Sequence, residues 1–137
     1  MIVTLAGPDD LPEVLALRHE VFVVGQGVPV DLEHDERDAE CDHAVARVDG
    51  AVVGTGRLLP EGVIGRMAVA ESVRGQGVGA LVLTFLERRA KERGMPSLEL
   101  HAQVHAAGFY DRAGYSPYGA SYLEAGIEHV SMRKELT

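Results

Sequence analysis

This 137-residue chain contains no tryptophan and one cysteine, Cys41, and aromatic residues make up only 5% of it. A lone cysteine cannot form an intrachain disulfide, which excludes a disulfide-stapled fold and fits a reducing compartment. No apolar run approaches the roughly 18 residues that a membrane-spanning helix needs. The N-terminus, MIVTLAGPDD, lacks the basic and apolar segments of a signal peptide. We therefore expect a cytoplasmic protein without a membrane partner.

Basic residues are also scarce, because 13 Lys and Arg face 21 Asp and Glu and give a net charge of −8. Such a surface is a poor partner for nucleic acid, and it suits a neutral or cationic substrate better. The length fits one domain spanning residues 1–137. With 46% hydrophobic residues, that domain can bury a substantial core.

Glycine, in contrast, is abundant, with 16 residues, and three of them lie in the stretch RGQGVGA at residues 74–80. Glycines let the backbone approach a ligand closely, and an amphipathic run that predicts a helix follows them directly. A helix N-terminus with free N–H groups attracts phosphate. The stretch therefore predicts a phosphate-binding loop.

Hydrophobic periodicity and turn signals divide the chain into strands and helices. Asp49-Gly50 predicts a hairpin turn. The order of elements predicts a mixed, mostly antiparallel sheet with helices on both faces, in which strands 63–70 and 97–103 are parallel neighbours. The predicted helices are 9–23, 78–93 and 104–114, and a loop that can hold one short helical turn covers 25–42. The predicted strands are 1–6, two within 43–60, 63–70, 97–103, 115–123 and 127–135.

Two common nucleotide-binding motifs do not account for this stretch. The ATP-type loop requires Lys-Ser or Lys-Thr after its glycines, and neither follows here. The dinucleotide fingerprint G-x-G-x-x-[G/A] does match at Gly75, Gly77 and Ala80. However, an antiparallel hairpin precedes it and too few residues follow it for the two-lobed dinucleotide-binding fold.

The motif Arg74-x-x-Gly77-x-Gly79 resembles the [Q/R]-x-x-G-x-[G/A] loop of the GNAT superfamily of acyl-CoA-dependent N-acetyltransferases. Its surroundings, IGRMAVAESVRGQGVGALVLTFLERRA, are similar to the strand–loop–helix core of that superfamily. Downstream, GFYDRAGY resembles the F-Y-x-x-x-G-[F/Y] signature on the helix after its fifth strand. The resemblance covers nearly the whole chain and implies an α/β (α+β) GNAT fold, with six to seven strands and about four helices.

Two further segments, LRHEVFVVGQGVPVDLEHDERD and EAGIEHVSM, are similar to a small bacterial branch of the superfamily whose substrate is undefined. That branch usually has Glu before the glutamine of the first segment, whereas this chain has Gly25 there. The acceptor, the acyl length, the general base, the effect of Gly25 and the oligomeric state, a homodimer included, stay open at this point.

The resemblance implies that the ligand of the loop is coenzyme A and that acetyl-CoA is the co-substrate. Strand four of the family binds the pantetheine arm through its backbone, and the loop binds the pyrophosphate. The implied cofactor-binding residues are Met67, Ala68, Val69, Arg74, Gly75, Gln76, Gly77, Val78, Gly79 and Ala80.

The resemblance also implies a catalytic residue. Tyr110 aligns with the tyrosine that stabilises the CoA thiolate, and a neutral phenol can donate a hydrogen bond to a thiolate at pH 7. For the general base the sequence offers Glu99 and His101, which alternation places on one face of a strand, and Glu33 in the acidic loop. A water molecule is a further candidate.

We expect no metal site, because His101-x-x-x-His105 lacks the glutamate of the zinc motif. The function implied by the resemblance is transfer of an acetyl group from acetyl-CoA to the primary amine of a small molecule or peptide, by direct attack in a ternary complex. The alternative is a non-catalytic acyl-CoA-binding module or sensor. A more distant alternative is an acyl-homoserine-lactone-type synthase, with which Arg18 to Phe22 shares an R-x-x-V-F pattern.

Overall fold

The computed structural model describes residues 1–136, which form one seven-stranded sheet in the order β1-β2-β3-β4-β5-β7-β6. Only β4 and β5 are parallel, so the predicted mixed and mostly antiparallel sheet is confirmed. The strands are β1 Ile2–Leu5, β2 Asp42–Val48, β3 Ala51–Leu58, β4 Val63–Val69, β5 Ser97–Gln103, β6 Ser116–Glu124 and β7 Ile127–Glu135; the α-helices are α1 Leu11–Arg18, α2 Val30–Glu33, α3 Val78–Glu92 and α4 Ala107–Arg112.

Two tight turns set the hairpins of the sheet. Asp49 and Gly50 both have positive φ, at 50° and 82°, and join β2 to β3. Ala125 and Gly126 repeat this geometry, at 52° and 76°, between β6 and β7. Positive φ at both central residues matches the twist of the flanking strands, and this explains why a glycine ends each pair.

The parallel pair separates soon after it forms. β4 and β5 pair at Val63 with Glu99 and at Ile64 with Leu100, and their pairing goes no further. The register between β3 and β4 shifts just beyond, between Thr55 and Arg57, so that β4 bulges. A bulge bends its strand and disrupts the ladder, and the C-terminal ends of β4 and β5 therefore diverge.

The bulge contains a strained residue. Arg66 has a φ of 50°, in the left-handed region that a non-glycine residue rarely adopts. Such a conformation costs about 1–3 kcal/mol and persists only where the surrounding structure imposes it.

Helices cover both faces of the sheet. On one face, α3 packs Val82, Leu83 and Leu86 into the main core, which Met67 and Val69 of β4 also join. On the other face, Leu17 of α1 and Val21 pack against Ala68. Alternation along β4 thus directs successive side chains to opposite helices. We refer to these two sides as the α3 side and the α1 side.

The prediction of one α-helix over residues 9–23 is wrong in its details. A 3-10 turn, Pro8–Asp10, leads into α1, and a π-helical turn, His19–Val24, follows it. The Gly25 N–H donates to the Glu20 carbonyl at 2.9 Å, the wider spacing of a π-turn. The predicted loop 25–42 holds α2 and a 3-10 turn, Glu36–Glu40.

Candidate active site

The divergence of β4 and β5 opens a cleft of about 1000 Å³ in the middle of the sheet. Both strands line it, and residues 20–28 and α2 border it on the α1 side. The start of α4 and the segment after β4 bound it near the α3 side. The lining of the cleft therefore reaches both sides of the sheet.

The glycine loop lies where β4 ends and α3 begins. Gly75 and Gly77 have φ of 82° and 83°, and a Cβ added at either would meet nothing within 4 Å. Their conformation thus requires glycine for its backbone, and the space in front of them is open. Gly77 is the N-cap of α3, so the N–H groups of the first turn of α3 point toward this space.

The other predicted cofactor residues divide into two groups. Met67, Ala68, Val69 and Arg74 line the cleft, and the loop 75–80 continues from Arg74 beyond the lining. Arg74 donates from Nε to the Val69 carbonyl at 3.2 Å, which ties the loop to the end of β4. The Val78 side chain is buried in the core, and a Cβ on Gly79 would contact the Phe109 ring at 3.4 Å. These two residues can therefore offer only backbone groups to a ligand.

Tyr110 lies on α4 and lines the same cleft. Its ring packs edge-to-face on Phe109, at a centroid distance of 5.0 Å, and on Tyr115 at 6.1 Å. Burial raises the pKa of the Tyr110 hydroxyl to about 12. The phenol therefore stays neutral, and can donate a hydrogen bond, at any physiological pH.

The three predicted bases lie in different surroundings. His101 is exposed and lines the cleft, and its ring packs edge-on against the Tyr122 ring at a centroid distance of 6.1 Å. Glu33 also lines the cleft, but its Oε1 accepts a hydrogen bond from Arg18 Nε at 2.6 Å. Glu99 pairs with Val63 at the closed end of the parallel pair and is not part of the lining. The structure thus brings His101 and Glu33 into the cleft, but not Glu99.

Glu33 belongs to an ion-pair network under the cleft, which we call the arginine network. Arg18 donates to Glu33 and, at 2.9 Å, to Asp38. Arg57 donates to Asp38 at 2.8 Å and to Asp35 at 2.7 Å. Burial alone would raise the pKa of Asp38, but the hydrogen bonds from the two guanidinium groups outweigh burial and lower it. The pKa of Asp35 is lowered as well, so Asp35 and Asp38 are held as anions.

Sequence reasoning missed several residues that line the cleft. Gln26 and Gln103 exchange two side-chain hydrogen bonds, at 3.1 and 2.8 Å, between the segment after the π-turn and β5. The ring of His129 is buried, and its Nδ1 donates to the Ile127 carbonyl at 2.7 Å. Arg66 enters the cleft from the bulge of β4. Of these, Gln26 and His129 lie in the two segments that resemble the bacterial branch, whereas no motif singled out Gln103 or Arg66.

Gly25 has a steric explanation. A Cβ at this position would lie 2.6 Å from the Val21 carbonyl oxygen, far closer than real Cβ contacts. The π-turn of this chain therefore excludes the glutamate that its branch usually has here. Residue 25 can therefore contribute only its backbone groups to the cleft.

The family model for the acetyltransferase (GNAT) domain matches residues 11–136. The chain belongs to the GNAT acetyltransferase family. It is 35% identical over 131 residues to the uncharacterized N-acetyltransferase YjcF of Bacillus subtilis, which covers 93% of this chain and 94% of that protein. The GNAT chain is therefore an acyltransferase, and the fold and family expected from its motifs are confirmed.

Solved structures agree with this assignment. An acyl-CoA N-acyltransferase from Pseudomonas aeruginosa is 30% identical, with a TM-score of 0.87, and the match covers 98% of this GNAT chain and 99% of the other. An aminoglycoside 6′-N-acetyltransferase solved with coenzyme A shares the fold alone, at 16% identity and a TM-score of 0.80, over 100% and 98% of the two chains. Within residues 1–136, no helix is long and apolar enough to cross a membrane.

Proposed function

We propose that this GNAT protein transfers an acetyl group from acetyl-CoA to a primary amine, by direct attack in a ternary complex. The observation that carries the proposal is the cleft, whose lining reaches both sides of the sheet. Acetyl-CoA would enter from the α3 side, along the glycine loop and β4. The amine would enter from the α1 side, so both substrates can be bound together.

Binding of coenzyme A is supported by the backbone geometry of the loop. Gly75 and Gly77 leave open space in front of the first turn of α3, where N–H groups and the helix dipole favour a pyrophosphate. Beyond Gly65, the β4 edge that faces β5 is free of ladder pairing, so its backbone groups are available to the amides of pantetheine.

In the reaction the amine nitrogen attacks the thioester carbonyl carbon, and the C–S bond then breaks to leave a thiolate. We assign polarisation of the carbonyl oxygen to a β4 N–H group, at Met67 or Val69. We assign the thiolate to the Tyr110 hydroxyl. Its pKa of about 12 exceeds that of an ordinary thiol, roughly 8.5. Tyr110 would therefore stabilise the thiolate by a hydrogen bond and would not transfer its proton completely.

The proton of the amine also needs an acceptor. Glu33 is engaged by Arg18, and Glu99 lies outside the lining of the cleft. His101 is exposed within the cleft, on the face of β5 that points to the α1 side. We therefore assign the proton to His101, directly or through a water molecule that it holds.

Steady-state release of thiol from acetyl-CoA, measured over a panel of primary amines, tests the proposal. Product mass should rise by one acetyl group, and double-reciprocal plots should intersect, as they do for a ternary complex. Parallel plots would contradict direct attack. The engagement of Glu33 favours one alternative, a sensor that binds acyl-CoA without turnover. Tight acetyl-CoA binding with no thiol release from any amine would support that alternative.

A further inference from the structure

Arg66 is the least neutralised of the three guanidinium groups on the α1 side of the cleft, which belong to Arg18, Arg57 and Arg66. Its Nη2 donates to the carbonyls of Leu32 and Glu33, both at 3.4 Å, which is long for a hydrogen bond. Its Nε is buried and has no hydrogen-bond partner among residues 1–136. Arg66 thus makes weaker hydrogen bonds than Arg18 and Arg57, which lie beside it.

The neighbouring carboxylates do not compensate for this. Glu33 Oε1 and Asp35 Oδ2 are each 3.9 Å from the nearest Arg66 nitrogen. Both carboxylates have closer donors, because Glu33 pairs with Arg18 at 2.6 Å and Asp35 with Arg57 at 2.7 Å. Burial, and then the like charges of Arg57 and Arg18, lower the pKa of Arg66, whereas the pKa of Arg57 is raised.

The position of Arg66 indicates what it contacts. Its neighbour Met67 belongs to the β4 segment assigned to the thioester, and the contacts with Leu32 and Glu33 place the guanidinium on the α1 side. Coenzyme A would occupy the α3 side, beyond the sheet. A group held by Arg66 would therefore belong to the second substrate.

The backbone supports the same conclusion. A bulge redirects a side chain, and Arg66 occupies the bulge of β4 at a φ of 50°. The strain is explained if it directs the guanidinium into the cleft, where the side chain remains 28% exposed.

We propose that Arg66 binds a carboxylate of the acceptor, so that the substrates of this enzyme are amines that carry a carboxylate, such as amino acids. The proposal rests on the proposed acetyl transfer. A guanidinium edge matches a carboxylate with two parallel hydrogen bonds. A dianionic phosphate suits the site less well, because the carboxylates at 3.9 Å would repel it more strongly.

Matched amine pairs test the proposal: glycine with glycinamide, β-alanine with β-alaninamide and 4-aminobutyrate with its amide. For each pair, kcat/KM of the acid is divided by kcat/KM of the amide, in the wild type and in Arg66→Gln. Intrinsic differences in amine basicity cancel between the two proteins. For at least one pair, the wild-type ratio should exceed the variant ratio by about 10- to 100-fold, as expected for a charge-assisted fork.

Two further variants separate binding from folding. Arg66→Lys keeps the charge without the fork and should retain only part of the preference. Arg133→Gln removes an exposed arginine of β7, paired with Glu135 at 3.0 Å outside the cleft, and should leave the ratio unchanged. Equal ratios in the wild type and Arg66→Gln for every pair would overturn the proposal.

A binding measurement distinguishes this failure from failure of the proposed function. N-acetyl-β-alanine and its amide are titrated calorimetrically into protein saturated with coenzyme A. The wild type should prefer the acid, and Arg66→Gln should not, whether or not any amine is turned over. If thiol release is absent but this preference is found, the proposed turnover fails and the carboxylate site stands. If both are absent, the site is refuted as well.

Discussion

The substitution Glu33→Gln tests whether the Glu33 carboxylate stabilises the fold or acts as the catalytic base. In the structure, Glu33 Oε1 accepts a hydrogen bond from Arg18 Nε at 2.6 Å, and its backbone carbonyl accepts a second from Nη2 at 3.3 Å. Only 1% of the Arg18 side chain and 11% of the Glu33 side chain are exposed. The substitution keeps the shape of Glu33 and an oxygen acceptor, but it removes the charge that compensates Arg18.

The expected loss of stability follows from this burial. Breaking a buried ion pair by removing one partner costs roughly 3–5 kcal/mol. Asp38 still pairs with Arg18, and the amide oxygen still accepts a hydrogen bond, so we expect the lower end, about 3 kcal/mol. For a chain of this length that corresponds to a fall in Tm of about 10 °C. The kcat of the folded variant should stay within about 3-fold of the wild type, whereas loss of a general base would lower it about 10²- to 10⁴-fold.

Urea unfolding followed by circular dichroism measures the stability, since the chain has no tryptophan for fluorescence. Glu40→Gln is the matched control, because it makes the same change in the pair of Glu40 with Arg37, whose side chains are 49% and 45% exposed. That pair should contribute less than about 0.5 kcal/mol. A Glu33→Gln variant as stable as the wild type, but with turnover reduced 100-fold, would refute the structural assignment and restore Glu33 as the base.

Three further predictions concern the cofactor side of the cleft. Gly77→Val should abolish acetyl-CoA binding measured by calorimetry. Gly50→Val is the matched control, because Gly50 in the β2–β3 turn has the same positive φ and open surroundings, and it should lower stability without affecting affinity. Equal affinities in the two variants would contradict the loop assignment. Tyr110→Phe should lower kcat about 10- to 1,000-fold with little change in acetyl-CoA affinity. A variant with the kcat of the wild type would exclude a role of the Tyr110 hydroxyl in stabilising the thiolate. Burial raises the pKa of Tyr110 from 10 to about 12, so the folded state holds this proton more tightly, and its contribution to stability should be lost as pH rises from 10 to 12. That loss is at most about 2–3 kcal/mol, and alkaline unfolding of Tyr110→Phe should lack it; equal losses in both proteins would refute the assignment.

The parts of the fold that sequence analysis predicted are those with local causes. The Asp49-Gly50 turn needs positive φ at adjacent residues, and the dipeptide itself indicates this. The glycine loop and α3 follow one another within a single stretch, so spacing alone places Gly77 at the helix start. The parallel neighbours β4 and β5 followed from the helix between them. The first two depend on local sequence alone, and the third depends on a general rule for the connection between parallel strands.

The parts that were missed depend on distant contacts. Glu33 stands in an acidic run, and nothing local indicates that Arg18, 15 residues earlier, reaches it through the π-turn. The stretch VIGRMAV reads as an unbroken strand, because a bulge changes the register with β3 without changing composition. Arg66 therefore gave no signal from the sequence, although it now carries the substrate proposal.

The bulge connects the two halves of the proposed site. Met67 Sδ lies only 2.5 Å from where a Cβ of Gly56 would be, so the bulged β4 approaches β3 at a residue that has no side chain. Because β4 is displaced there, it stops pairing with β5 after Ile64, and the cleft opens. The same displacement turns Arg66 toward the α1 side while Met67 stays in the core of the α3 side. The opening proposed for the thioester and the guanidinium proposed for the acceptor therefore have one structural cause, and in the proposed ternary complex the bulge would set the distance between the two substrates.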